Sequence, residues 1–323
     1  MYESFYGVRE RPFDLTPNPR FLLLTSKHRE ALSNLQYGLM SRRGLTVLVG
    51  EAGTGKTTLI RAAVTEFEAQ GAVIAYLNNP TLTRQEFCEF LTTAFTLHPA
   101  AASSKTRLLA ELASALEKFR ADGVRTGLII DEAQVLPDEL LEEVRLLANI
   151  ETATDKLLPI VLAGQPELAD RLNKPSLRQL KQRVALRCQL NALDPRETAE
   201  YIAGRIRVAG GNSVMVFTRQ AVDAIHQRSA GIPRLISVIC DNALISGFAA
   251  DRRPVSRDIV EDVCRDFDLI PRSNGSADLV AARPVSPPPP ARIEGPAPEA
   301  AVKEGSVRSL FEQFTIRRRF SLF

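Results

Sequence analysis

The sequence predicts an α/β fold, a parallel sheet covered by helices on both faces, followed by a small all-helical domain. Three observations carry that expectation. Between residues 45 and 191 short apolar runs alternate with longer amphipathic stretches, the pattern of strands joined by crossover helices. After Leu190 the short apolar runs stop and four amphipathic stretches follow one another. Near the start of the first region, the apolar run 45–49 leads into Gly50-Glu51-Ala52-Gly53-Thr54-Gly55-Lys56-Thr57. That run has the G-x-x-x-x-G-K-[ST] spacing of a phosphate-cradling loop.

The elements follow in order. Residues 1–44 read as an extended linker, punctuated by Pro12, Pro17 and Pro19, and then a helix over 26–40. Strands are expected at 45–49, 72–77, 127–131, 158–163 and 184–190. Helices are expected between them at 58–70, 83–97, 106–121, 138–149 and 166–172, the first stopped by Gly71. Together they make a nucleotide-binding domain over 45–191. Such sheets bind ligands at the carboxyl ends of their strands. The helical domain, 192–270, holds helices at 195–209, 218–229, 233–248 and 256–267. Thr218 and Ser256 are suitable N-caps there, and Pro233 suits a first helical turn.

From Pro271 the composition changes, with four prolines at 287–290 amid Ser, Ala and Gly. Too little apolar surface is present to offset the entropy of ordering, so 271–323 is expected to be a disordered, proline-rich linker. It ends in a basic amphipathic segment over 306–323, where Val307, Leu310, Phe311 and Phe314 share one helical face ahead of Arg317, Arg318 and Arg319. That segment is either a passive terminus or a tethered anchor for an anionic lipid surface or a membrane-bound partner.

Composition narrows the class. A length of 323 residues with 45% hydrophobic and 24% charged side chains is that of a soluble globular chain with room for two domains. A net charge of +3 is too small by itself to imply nucleic acid or membrane. Cys88, Cys188, Cys240 and Cys264 are far apart, without metal-ligand spacing, and read as reduced core cysteines. His28, His98 and His226 are scattered and read as structural or surface residues. No stretch reaches signal-peptide or membrane-span length, so a cytoplasmic location is expected.

The chemistry concentrates in two signatures. In the loop, residues Gly50 to Thr58 lay backbone N–H groups around phosphate oxygens, and the following helix adds positive potential at its N-terminus. Lys56 supplies a point charge for the terminal phosphates, and the Thr57 hydroxyl can ligate Mg²⁺. The second signature is Leu128-Ile129-Ile130-Asp131-Glu132, a buried strand ending in two carboxylates. Asp131 would hold Mg²⁺, directly or through water, and Glu132 would polarise an attacking water. ATP and Mg²⁺ are the ligands these residues imply.

Three further positions have suitable placement. Gln165 follows the strand 158–163, and if that strand lies between the two signature strands its amide can orient water beside the γ-phosphate. On turn chemistry alone Gln165 is equally a filler in a strand-to-helix turn. Arg183 precedes the last strand, with Arg178 as a weaker rival, and Arg234 opens a helix after Gly231-Ile232-Pro233. Each arginine is otherwise an ordinary solvated side chain.

The motifs resemble those of ExeA/GspA-type secretion ATPases. The resemblance runs through Met1-Tyr2-Glu3-Ser4-Phe5-Tyr6-Gly7, Arg11-Pro12-Phe13, Thr16-Pro17-Asn18-Pro19-Arg20-Phe21 and Lys27-His28-Arg29-Glu30-Ala31-Leu32. It continues through both signatures, then Ala133-Gln134, Leu146 to Thr152, Gly164-Gln165-Pro166-Glu167-Leu168, Leu177-Arg178-Gln179-Leu180 and Gly231 to Ile236, so that it covers about 1–270. Relatives include ATPases beside exosortase and exopolysaccharide loci. The wider AAA+ group, on its Orc/Cdc6-like side, also holds transposition helpers.

The resemblance implies a P-loop AAA+ fold with five parallel strands in the order 5-1-4-3-2 and a helical lid. It makes Gly50 to Thr58 the Walker A loop and Asp131 with Glu132 Walker B. Gln165 becomes sensor 1, Arg183 an arginine finger acting on a neighbouring subunit, and Arg234 sensor 2. It places the segment around His28 and Arg29 near the adenine. It also implies a homo-oligomer and a partner in a secretion or envelope machinery, at the inner face of the cytoplasmic membrane. ExeA-type proteins carry a transmembrane helix and a peptidoglycan-binding domain after the ATPase, and neither pattern appears in this sequence. The expected function is therefore an accessory ATP-hydrolysing motor or switch of an export system. The alternative is a DNA-associated AAA+ module of the transposition-helper or origin-recognition kind, which the dispersed basic residues disfavour. A third reading is a scaffold that binds ATP without turnover, against which Glu132 argues.

Overall fold

The structure, a computed structural model, describes residues 1–15, 19–21, 25–41, 44–78 and 80–267. The proline-rich linker and basic segment expected over 271–323 lie outside the described residues. Five strands form one sheet: β1 (Leu45–Gly50), β2 (Val73–Leu77), β3 (Thr126–Ile130), β4 (Ile160–Gly164) and β5 (Val184–Leu190). Their order is β2-β3-β4-β1-β5 and every pairing is parallel. This is the expected order, read from the other edge.

The helices are α1 (Glu3–Tyr6), α2 (Ser26–Met40), α3 (Lys56–Ala69), α4 (Arg84–Ala94), α5 (Lys105–Ala121), α6 (Asp138–Leu147), α7 (Pro166–Leu172) and α8 (Arg178–Lys181). After the sheet come α9 (Pro195–Val208), α10 (Arg219–Ser229), α11 (Pro233–Ala249) and α12 (Arg257–Asp266). The Thr218 side chain caps α10, whereas Ser256 occupies the N-cap of α12 without a capping bond. The α4 helix stops at Ala94, short of the expected 97, because Thr96 adopts a left-handed backbone with φ 52°.

A strand presents alternate residues to opposite faces. Leu45, Val47 and Val49 of β1 join a core with Leu128, Ile130, Ile160 and Leu162 and with apolar residues of α4 to α7. Leu48, Ile129, Val161 and Ala163 face the other way, onto Leu35 and Leu39 of α2 and Leu59 and Ile60 of α3. The central strands are therefore largely apolar on both faces, Thr46 and Thr126 aside, which is why they read as apolar runs.

The helical region has its own core, built by α9 to α12 around Ile202, Ile206, Ile225, Ile236, Ile239 and Leu244. Tyr2, Tyr6, Val8, Phe13 and Phe21 belong to that same core. The first part of the expected linker is thus a strap on the helical region. Arg253 donates to the Phe5 carbonyl at 2.8 Å, and the Arg9 N–H donates to the Ala209 carbonyl at 2.7 Å.

Candidate nucleotide-binding site

The glycine loop joins β1 to α3 at the carboxyl edge of the sheet. Gly53 and Gly55 have φ of 82° and 100°, conformations that a β-carbon opposes. Lys56 is 4% exposed. Its Nζ donates to the carbonyls of Gly50 at 2.7 Å and Glu51 at 3.0 Å, so the ammonium sits inside the curl of the loop. Burial pushes its pKa down from the usual lysine range, while the carboxylates of Glu132 and Asp131 pull it up. A phosphate in the loop would add an anion beside this buried cation.

β3 delivers the carboxylates. Asp131 is fully buried. Its Oδ2 accepts from the Thr57 hydroxyl at 2.6 Å, and its Oδ1 accepts from the Glu132 N–H at 2.9 Å. A hydroxyl and a carboxylate side by side are the hard oxygen donors that Mg²⁺ prefers, and Mg²⁺ takes its other ligands from phosphate and water. Accordingly, among the described residues no three His, Cys, Asp or Glu side chains gather at a metal-binding spacing. The residues fit the ion.

Glu132 takes a left-handed backbone, φ 52°, which turns its side chain out of the strand line. Its Oε2 accepts from Gln134 Nε2 at 2.6 Å and from Gln165 Nε2 at 3.3 Å. The condition on Gln165 is met, because β4 lies between β3 and β1. Gln134 was visible in the sequence only among the residues that carry the family resemblance, with no role attached.

The helical region closes the other side of the loop. The Arg234 N–H donates to the Gly53 carbonyl at 3.2 Å, and its side chain is exposed. A cleft of about 530 Å³ runs from the loop to this helical region, lined among others by Phe21, His28, Glu132, Gln165, Arg205 and Arg234. His28 is buried, with Nε2 3.1 Å from the Thr54 carbonyl and Nδ1 2.8 Å from the Thr25 hydroxyl. It braces the loop, a role that its sequence position alone did not single out. Arg205 was also missed. Its guanidinium donates to the carbonyls of Pro12 at 2.6 Å and Asp14 at 3.2 Å and to the Tyr201 hydroxyl at 2.7 Å. It lies 5.1 Å from the ring centre of Phe21 and 5.9 Å from that of Phe13.

Arg183 is not part of this cluster. Its carbonyl accepts from the Leu45 N–H at 3.2 Å, at the end of β1 opposite the loop. Five strand residues separate the two ends, roughly 17 Å of rise. Arg178 is exposed at the start of α8. At that distance Arg183 does not reach this chain's own loop.

The family comparison agrees with this geometry: residues 39–172 match the model of the AAA domain family. The chain carries an AAA domain. Over 250 residues it is 42% identical to general secretion pathway protein A of Aeromonas hydrophila, a match covering 77% of this chain and 45% of that protein. This chain therefore spans about half the length of that relative. Among solved structures, the fold is similar to Aeropyrum pernix ORC2, in its ADPNP–ADP complexes, with a TM-score of 0.58 at 18% identity over 80% of this chain and 71% of that one. Pyrobaculum aerophilum Cdc6p gives 0.60 at 15% identity over 79% and 70%. Drosophila ORC bound to DNA gives 0.59 at 19% over 80% and 64%. These are likenesses of fold.

Proposed function

We propose that the chain binds Mg-ATP in the cleft and hydrolyses it to drive or switch a secretion or cell-envelope export machinery. The observation that carries the nucleotide half is the joint placement of Lys56 in the loop, Thr57 against Asp131, and Glu132 beside them at the cleft. Gly50 to Thr58 wrap the phosphates, with Glu51, Ala52 and Thr54 contributing backbone and Lys56 contributing charge. Thr57 and Asp131 would hold Mg²⁺, which when bound supplies charge neutralisation on the phosphate oxygens. Glu132 takes the proton of the attacking water, and Gln165 orients that water by hydrogen bonding. Arg234 reports the filled site to the lid, and Arg183 completes the site of a neighbouring subunit in a homo-oligomer.

The secretion half rests on the similarity to general secretion pathway protein A. An export role at an exosortase or exopolysaccharide locus is the same reading made narrower. Among the described residues no helix is long and apolar enough to cross a membrane. Recruitment to the inner face of the cytoplasmic membrane would run through the basic segment 306–323. The DNA-associated alternative draws on the likeness to ORC and Cdc6 proteins, which is a likeness of fold.

Phosphate release by the wild type, Lys56→Ala and Glu132→Gln tests the reading, each with and without duplex DNA and with and without anionic vesicles. Turnover that needs Lys56 and Glu132 and ignores DNA supports it. Turnover dependent on DNA supports the alternative, and wild-type rates matched by both variants overturn the site.

A further inference from the structure

Both hydrogen bonds to the Glu132 carboxylate fall on one oxygen, Oε2, at 2.6 Å from Gln134 and 3.3 Å from Gln165. Among the described residues Oε1 receives no side-chain donor. The Gln134 amide has one possible orientation. Its Oε1 accepts the backbone N–H of Gln165 at 3.1 Å, so its NH₂ group must face the carboxylate. The same residue is fixed from behind, because Arg171 donates to the carbonyls of Gln134 and Leu136, each at 2.6 Å. Space for the amide exists because position 164 is glycine. A β-carbon there would stand 2.7 Å from Gln134 Oε1.

We propose that Gln134 is a positioning residue for Glu132, holding Oε2 so that Oε1 faces the water, and that it ties this placement to the end of β4. The inference rests on the assignment of Glu132 as the base. The tie matters because Gln165 is the N-cap of α7, so any shift of the β4–α7 turn moves Gln134 and, through it, the carboxylate. The site thus carries a link between the water-orienting amide and the base that does not pass through nucleotide.

Gln134→Glu separates this role from a structural one. Its carboxylate still accepts the Gln165 N–H, and nearly the same shape is kept, but it offers no donor to Glu132 and repels it. Gln134→Leu removes both bonds, and Gly164→Ala displaces the amide. The experiment measures kcat and KM for ATP, the Kd for ADP by calorimetry and the thermal midpoint, for the full chain. The expected result for Gln134→Glu is a kcat lower by about 10- to 100-fold, the scale of a small misplacement. ADP affinity should stay within about twofold and the thermal midpoint should be kept, since the nucleotide contacts are untouched. Gln134→Leu should lower kcat in the wild type and change it no further in Glu132→Gln, because the group it positions is already gone. A Gln134→Glu kcat equal to wild type, or a further loss on adding Gln134→Leu to Glu132→Gln, overturns the inference while leaving the base assignment intact. A wild type without ATP turnover overturns both.

Discussion

Arg234 and Gly53 meet across the cleft, the N–H of the lid residue donating to the loop carbonyl at 3.2 Å. The contact needs the glycine. A β-carbon at position 53 would stand 2.8 Å from Arg234 Cβ, and the backbone there has a φ of 82°. Gly53→Ala is therefore expected to push the lid off the loop and strain the loop by about 1 kcal/mol or more. Calorimetry should show ATP affinity falling at least tenfold. Arg234→Ala keeps the backbone bond and removes the side chain beyond Cβ, guanidinium included, so its ATP affinity should shift while the ADP affinity stays nearer wild type.

The two signature residues should fail in different ways. Lys56→Ala removes the buried cation that the phosphates need, and fluorescent-nucleotide titration should show binding lost. Glu132→Gln keeps the loop and the Thr57–Asp131 contact, so binding should persist. Turnover should drop by about 10²–10⁴-fold, the usual weight of a general base. Full turnover in Glu132→Gln would refute the assignment of the base.

The burial of Lys56 predicts a pH dependence. Its pKa in the folded, nucleotide-free chain lies below the ordinary 10.5 because burial disfavours the ammonium. Below that folded pKa the group is charged in both folded and unfolded states, and its desolvation subtracts from stability. As pH rises through the folded pKa the proton is shed in the fold first, and the penalty fades. Nucleotide binding needs the ammonium, so ATP affinity should weaken over the same alkaline window, beginning below 10.5. Titrations from neutral pH upward should show this fall in the wild type and a flat profile in Lys56→Arg, provided that variant still binds.

How much of this was legible follows from the kind of signal each residue carries. The loop and the Asp131–Glu132 pair announce themselves because their spacing is dictated by local geometry, a turn or a strand end. The sheet order followed from the family resemblance. Arg205 carries no such mark. Its partners are the carbonyls of Pro12 and Asp14, about 190 residues away, and backbone carbonyls have no sequence identity. The strap of residues 1–15 read as a linker because its apolar side chains, Tyr2, Tyr6, Val8 and Phe13, have no helical or strand period. They pack singly into a core made by α9 to α12. Gln134 lay in plain view, but its role depends on β4 being the neighbour of β3.

Arg205 should be the main tie between the strap and the lid. It is buried, donates hydrogen bonds to Pro12, Asp14 and Tyr201 among others, and lies against aromatic rings. Arg205→Ala is expected to cost about 3 kcal/mol, from lost charge-assisted hydrogen bonds and ring contacts. Urea unfolding should show the shift in midpoint, and limited proteolysis should then cut first within residues 1–21. Arg205→Lys retains charge but not the fork, and should recover about half.

The last prediction concerns Arg183. It sits at the end of β1 opposite the loop, so no rotamer of its side chain spans the roughly 17 Å of strand to this chain's own phosphates. If it acts on nucleotide, the nucleotide belongs to another copy. Hydrolysis per subunit should then rise with protein concentration. Arg183→Ala should lose about 10³-fold or more in turnover, the scale of an arginine supplied to a transferring phosphoryl group. The two defects should also complement. A Glu132→Gln subunit cannot turn over its own ATP but still presents Arg183, whereas an Arg183→Ala subunit keeps a complete base and loop. Mixing them should restore part of the activity that each lacks alone, and adding Arg183→Ala to the Glu132→Gln chain should abolish the rescue. Mixing experiments at fixed total concentration, read as phosphate release, decide the matter. A rate per subunit independent of concentration, with no rescue in the mixture, would make the chain a monomeric enzyme and Arg183 a surface residue at the head of β5.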